Sequence, residues 1–191
     1  MNTEELNTLK ERAYKIAADH GFHKDTKPDI YWLGLVMSEA GEAINADRRG
    51  WHADTMEFED AIKIGAISSI VFEKSIKDSV EDEIADIVIR LLDFAGMEKY
   101  ELAITQHEHD IAVHSLATID KYTLSGFFFD LIGSLSEAFD IGFLATGVNN
   151  TICILADCFK KITNSDKDLW WFVDKKMAYN KMRPMLNGKK Y

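Results

Sequence analysis

The sequence predicts an all-α protein, a four-helix-bundle core built from two pseudo-repeated helical hairpins with additional packing helices. Three observations carry that prediction. Proline occurs only at Pro28 and Pro184, one near each end, so the long middle lacks the residue that most reliably breaks a helix. Apolar residues recur at three- and four-residue spacing through most of the chain. Finally, LIGSLSEAFDI from Leu131 aligns without a gap on LGLVMSEAGEA from Leu33, and LADC from Leu155 aligns on IADI from Ile84. At 191 residues the chain reads as a single domain, 1–191, able to bury a core of its own.

The first element runs from Thr3 to about His20, with Leu6, Leu9, Ala13, Ile16 and Ala17 on one face and Gly21 as a stop signal. It reads as a packing helix. A loop follows to Asp29, a candidate N-cap. The first hairpin then spans 30–97. Its leading helix carries an apolar stripe of Leu33, Val36, Met37, Ala40 and Ile44, with Glu39 and Glu42 about 120–180° round from the stripe's centre. Trp32, two turns before Glu39, is either a core residue or a surface on which a nucleobase stacks. Beyond Gly50, residues such as Phe58, Ile62, Ile67, Val71 and Phe72 are too apolar for a solvated linker and predict inserted helix. Arg48, Arg49 and Lys63 nearby are cations able to meet phosphate or simply to face solvent.

The closing helix of this hairpin repeats the design. Ile84, Ile87, Val88, Leu91 and Ala95 form its stripe, and Glu83 and Asp86 are displaced from it in the same sense as the first acid pair. Acids three residues apart share one side of a helix, so side-by-side packing brings Glu39, Glu42, Glu83 and Asp86 together. Such a cluster repels itself unless a cation sits in it, and hard divalent cations prefer carboxylate oxygen. The reading is a Mg²⁺ site, with Mn²⁺ as a substitute. Arg90, one turn past Asp86, neutralises the acids when metal is absent or touches phosphate when substrate is present, and Asp93 continues its face.

His107, Glu108, His109, Asp110 and His114 raise a histidine metal site, against which stands the absence of HExxH spacing. The second hairpin, 125–163, reads as a degenerate copy of the first. Glu137, Asp140 and Asp157 stand where Glu39, Glu42 and Asp86 do, while Ile154 replaces Glu83. In the last segment, 166–191, a helix runs from about Asp168 to Lys181, anchored by Trp170, Trp171, Val173 and Met177. Lys176, Asn180 and Arg183 share a narrow band on it. Cations at a helix C-terminus complement its dipole without any ligand.

Composition narrows the function classes. A net charge of -10 argues against non-specific nucleic-acid binding and gives no reason to expect a membrane partner. Cys153 and Cys158 match no zinc or redox spacing and read as reduced core residues. The N-terminus lacks the charge-then-apolar order of a signal peptide, and a cytoplasmic location is the expectation.

Three blocks, SEAGEAINADRRG from Ser38, EDEIADIVIRLLDFAG from Glu81 and KMAYNKMRPMLNGKKY from Lys176, resemble the MazG-like all-α nucleoside triphosphate pyrophosphohydrolases, relatives of the dimeric dUTPases. That family carries ExxE on one helix and ExxD on the next, here Glu39 with Glu42 and Glu83 with Asp86. The resemblance implies hydrolysis of a nucleoside triphosphate to the monophosphate and pyrophosphate, a nucleotide-pool house-cleaning activity. It implies the four acids as Mg²⁺ ligands, Glu39 or Glu42 orienting or deprotonating the attacking water, and Lys176, Asn180 and Arg183 gripping phosphates. Where similar proteins often read HGK after this point, the chain has Asn187, Gly188 and Lys189. Tyr31, Trp32, Trp51 and Phe22 are candidates for the wall of a base pocket. Relatives build the bundle from two chains, so the expectation here is a monomer with a pseudo-dimeric core or a homodimer. The rival readings are a non-catalytic nucleotide-binding regulatory module on the same scaffold and a structural bundle whose acids face solvent.

Overall fold

A computed structural model describes residues 1–106, 110 and 123–188. Among them are eight α-helices and one 3-10 turn, and no strand. The helices are α1 (Thr3–Asp19), α2 (Asp29–Arg48), α3 (Thr55–Lys63), α4 (Ser68–Ser75), α5 (Val80–Met97), α6 (Leu124–Asp140), α7 (Leu144–Thr163) and α8 (Leu169–Asn180). None of the described helices is long and apolar enough to cross a membrane.

Local chemistry sets the starts. Asn2 and Glu5 exchange hydrogen bonds in a capping box at α1, and Asp54, Ser79, Thr123 and Asp168 each accept a backbone N–H in the first turn of α3, α5, α6 and α8. Asp29 does not cap α2. It is the first helical residue, behind Pro28, whose fixed φ suits the position before a helix. Gly21, at φ +84, turns the chain out of α1 as the sequence suggests.

The core is organised round α5. Most of its residues from Val80 to Gly96 are buried, because α1, α2, α7 and α8 all pack on it. Helices α2, α5, α7 and α6 touch in a closed ring, α2 against α5, α5 against α7, α7 against α6 and α6 against α2. This ring is the four-helix bundle. Helices α1 and α8 cover what remains of α5, and the insert after Gly50 forms two helices, α3 and α4, the second leaning on α8. Glu81 ties that insert down, since its carboxylate accepts from Ala53 N at 2.9 Å and pairs with His52 Nδ1 at 2.9 Å.

One expectation for α2 is corrected. Met37 is 57% exposed and is not part of the stripe, which instead runs through Trp32, Val36, Glu39, Ala43 and Ala46, with Leu33 and Ala40 beside it. The buried face is rotated so that Glu39 lies within it. A carboxylate is tolerated there because Arg90 of α5 meets it, as described below.

The α1–α5 contact is set by a missing side chain. A Cβ added to Gly96 would stand 2.6 Å from Tyr14 Cβ, closer than two carbons can approach. Gly96→Ala should therefore push α1 off α5 and cost about 1–3 kcal/mol. A shift of the urea midpoint checks this, and an unchanged midpoint would show that α1 yields freely.

Candidate metal and phosphate site

A cavity of about 240 Å³ opens where α1, α2, α5 and α8 meet. Glu39 and Glu42 of α2, Glu83, Asp86 and Arg90 of α5, and Lys176, Asn180 and Arg183 of α8 and its end all line it. All four acids drawn from the sequence thus reach one cavity, but not on equal terms. Glu39, Glu83 and Asp86 have ligand atoms within 4.8 Å of one another, whereas Glu42 is exposed at the rim.

Each buried acid is handled differently. Glu39 Oε1 accepts from Arg90 Nε at 3.0 Å and Nη2 at 2.8 Å. Burial raises its pKa, Asp86 raises it further, and Arg90 pulls against both. Asp86 Oδ2 pairs with Lys176 Nζ at 2.8 Å. Glu83 makes no ion pair among the described residues: burial first, and Asp86 second, push its carboxyl up to about 9 against the pull of Lys176. Without a cation among these oxygens it therefore holds a proton at neutral pH.

Sequence reasoning missed Asp82. It is 1% exposed, its Oδ2 takes Lys176 Nζ at 2.6 Å and Asp78 N at 3.0 Å, and its Oδ1 has no hydrogen-bond partner among the described residues. Burial pushes Asp82 up to about 6 against the pull of Lys176. On the lysine the balance goes the other way: burial alone would lower its pKa, but Asp86 and Asp82 outweigh it and hold the ammonium above its ordinary value. The run Glu81, Asp82, Glu83 sits in the first turn of α5, where the helix dipole favours negative charge. Asp78, Asp82 and Glu83 form a second group whose ligand atoms lie within 4.8 Å of one another.

The remaining sequence candidates divide. Asn180 lines the cavity with a buried Oδ1 that has no partner among the described residues, and Arg183 lines it with its guanidinium 5.8 Å from the Tyr179 ring centroid. Trp32 does not line it. At 5% exposure it is a core residue, with ring centroids 5.0 Å from His23 and 5.2 Å from Tyr31. Of the four aromatic residues considered for a base pocket, only Phe22 reaches the cavity; Trp51 instead donates to Lys77 O at 3.3 Å. Arg48, Arg49 and Lys63 do not line it either, and Lys63 pairs with Asp60 on α3.

No family model, curated protein or solved structure matches the chain.

Helix α1 was read only as packing, yet Ala13, Ile16 and Ala17 form an apolar wall of the cavity. The second hairpin contributes nothing to it. Glu137, Asp140 and Asp157, the counterparts of three of the acids, are exposed, and Ile154 is buried. Asp110 is exposed and accepts from Gln106 Nε2 at 2.8 Å, while the histidines 107, 109 and 114 of the other metal candidate lie outside the described residues. Cys153 and Cys158 are buried and form no disulfide with each other, and burial pushes the Cys158 thiol up to about 12.

Proposed function

We propose that the protein is a Mg²⁺-dependent nucleoside triphosphate pyrophosphohydrolase, releasing pyrophosphate and the monophosphate, with Mn²⁺ able to replace Mg²⁺. One observation carries the reading. Three acids from two helices crowd within 4.8 Å in the same cavity that receives Lys176 and Asn180 from a third and Arg183 from the turn after it. Carboxylates so close fit a hard divalent cation, and the nearby cationic and amide groups fit the phosphates that cation would bridge.

Glu39, Glu83 and Asp86 would hold the ion, which when bound supplies positive charge to phosphate oxygens and acidifies water. The chain's own groups do the rest. Arg90 holds Glu39 in place by a forked contact. Glu42, exposed at the rim, is placed to orient water and take its proton. Arg183, and Lys176 once drawn from its acids, offset charge on the phosphates as the α–β bridge breaks. Asn180 offers an unpartnered amide oxygen and its NH₂ to the substrate. On this reading the protein acts on the nucleotide pool of the cytoplasm, where the two buried thiols stay reduced.

Pyrophosphate release from a panel of ribo- and deoxynucleoside triphosphates with Mg²⁺ tests it. Turnover should fall by about 10²–10⁴-fold in Glu42→Ala. No turnover of any triphosphate by the folded protein would sink the reading. The rival of a non-catalytic bundle draws support from the ion pairs of Lys176 and Arg90, which neutralise acids without a metal. Under that rival, Mg²⁺ leaves the melting temperature unchanged.

A further inference from the structure

The cavity has an apolar end that phosphates do not need. Helix α1 runs antiparallel along α5, with Lys10 Nζ on Tyr100 O at 2.8 Å and Tyr14 against Gly96. That register brings Ile16 and Ala17 to the stretch of α5 around Asp93, and Phe22 and Ile89 complete the wall. Polar capacity there is scarce. Both ring nitrogens of His20 lie at main-chain oxygens, Nδ1 at 2.8 Å from Ile16 O and Nε2 at 3.0 Å from Arg183 O. The charged groups of α5 there are Arg90, which is held on Glu39, and Asp93. Asp93 is 5% exposed, it lines the cavity, and its Oδ1 pairs with His23 Nε2 at 2.7 Å. His23 is itself held between the rings of Tyr14 and Trp32, with centroids 5.0 Å away on each side. Oδ2 of Asp93 makes no hydrogen bond among the described residues.

A fixed acceptor in an apolar slot selects a donor. Asp93 lies seven residues beyond Asp86 on α5, about 10 Å further along the helix axis. A nucleotide with its phosphates at Asp86 and Lys176 would carry its base into this end. We infer that Asp93 determines base specificity by accepting a hydrogen bond from an exocyclic amino group, so that the substrates are nucleotides of amino-bearing bases and not their keto counterparts. Uracil and hypoxanthine put a carbonyl where cytosine and adenine put an amine, and a carbonyl facing this carboxylate leaves both acceptors unpaired. His23 acts as a positioning residue, fixing one oxygen so that the other faces the base. The inference rests on the pyrophosphohydrolase reading for its substrate and extends it to the base.

Two isosteric pairs test it, dCTP against dUTP and dATP against dITP, assayed as kcat/KM with Mg²⁺. The amino member of at least one pair should be favoured by about tenfold or more. Asp93→Asn, which keeps an oxygen for His23 and adds a donor, should bring that ratio to about threefold or less. Turnover without amino preference, or a preference unchanged in Asp93→Asn, overturns the inference and leaves the hydrolase standing. No turnover at all sinks the hydrolase, and calorimetric binding of CMP, UMP, AMP and IMP then decides separately. Tighter binding of either amino member supports Asp93 as the reader, and equal or absent binding overturns it. These wild-type comparisons hold even where the variant fails to fold.

Discussion

Lys176→Met should destabilise the protein by about 3–5 kcal/mol at neutral pH in the presence of a chelator. The lysine is buried, and its ammonium is the shared partner of Asp82 at 2.6 Å and Asp86 at 2.8 Å. Methionine fills much of the volume but leaves Asp82, 1% exposed, without a counter-charge. A buried pair contributes little over a well-packed apolar substitute, yet removing one member strands the other. The double variant Lys176→Met/Asp82→Asn should therefore recover much of the loss. Urea unfolding at pH 7.5 measures both. If the single variant unfolds at the wild-type midpoint, the acids are solvated and the buried cluster described here is wrong.

Glu83→Gln should have the opposite sign under the same conditions. In the unfolded chain Glu83 ionises near 4.5, and in the folded chain burial and Asp86 move it to about 9. Between those values the folded state holds the extra proton, so stability falls as pH rises through the window. The loss is absent below about 4.5 and complete above about 9, amounting to a few kcal/mol. Asp82, raised from 3.8 to about 6, adds a smaller fall in the lower part of the range. Gln removes the Glu83 contribution, so the variant should outlast the wild type increasingly between pH 6 and 9. Mg²⁺ should do the same for the wild type, because its binding displaces the proton, and should do little for the variant. Thermal melts across pH with and without Mg²⁺ check this, and parallel curves for the two proteins would refute it. Pyrophosphate release should also drop at least about 100-fold in Glu83→Gln, as expected for loss of a metal ligand.

The helices were legible in the sequence because periodicity and caps act locally. The acid cluster was legible for a related reason: three-residue spacing on two helices leaves few ways to separate Glu39, Glu83 and Asp86 once those helices pack. Facing was harder. Met37 and Glu39 are two residues apart, and hydrophobicity alone puts methionine inside; only Arg90, supplied by another helix, reverses that choice. Asp82 was overlooked because its neighbour Glu83 completes the spaced pair, and nothing local says that Lys176, far along the chain, will reach it. Trp32 was read both as core and as a stacking surface, and the structure buries it. The part α1 takes in the cavity follows from its antiparallel course along α5, a property of tertiary packing that α1's own residues do not encode.

The ion pairs of Lys176 and Arg90 bear on how such a chain lives in a cell short of magnesium. Many metal centres are also folding nuclei, and stripping the ion unfolds them. Here two resident side-chain cations already face the acids. Depletion would then silence the protein without exposing its core to proteases, and resupply would restore it without new synthesis. The cost would fall on affinity, since an incoming ion would have to displace an ammonium that is already at home.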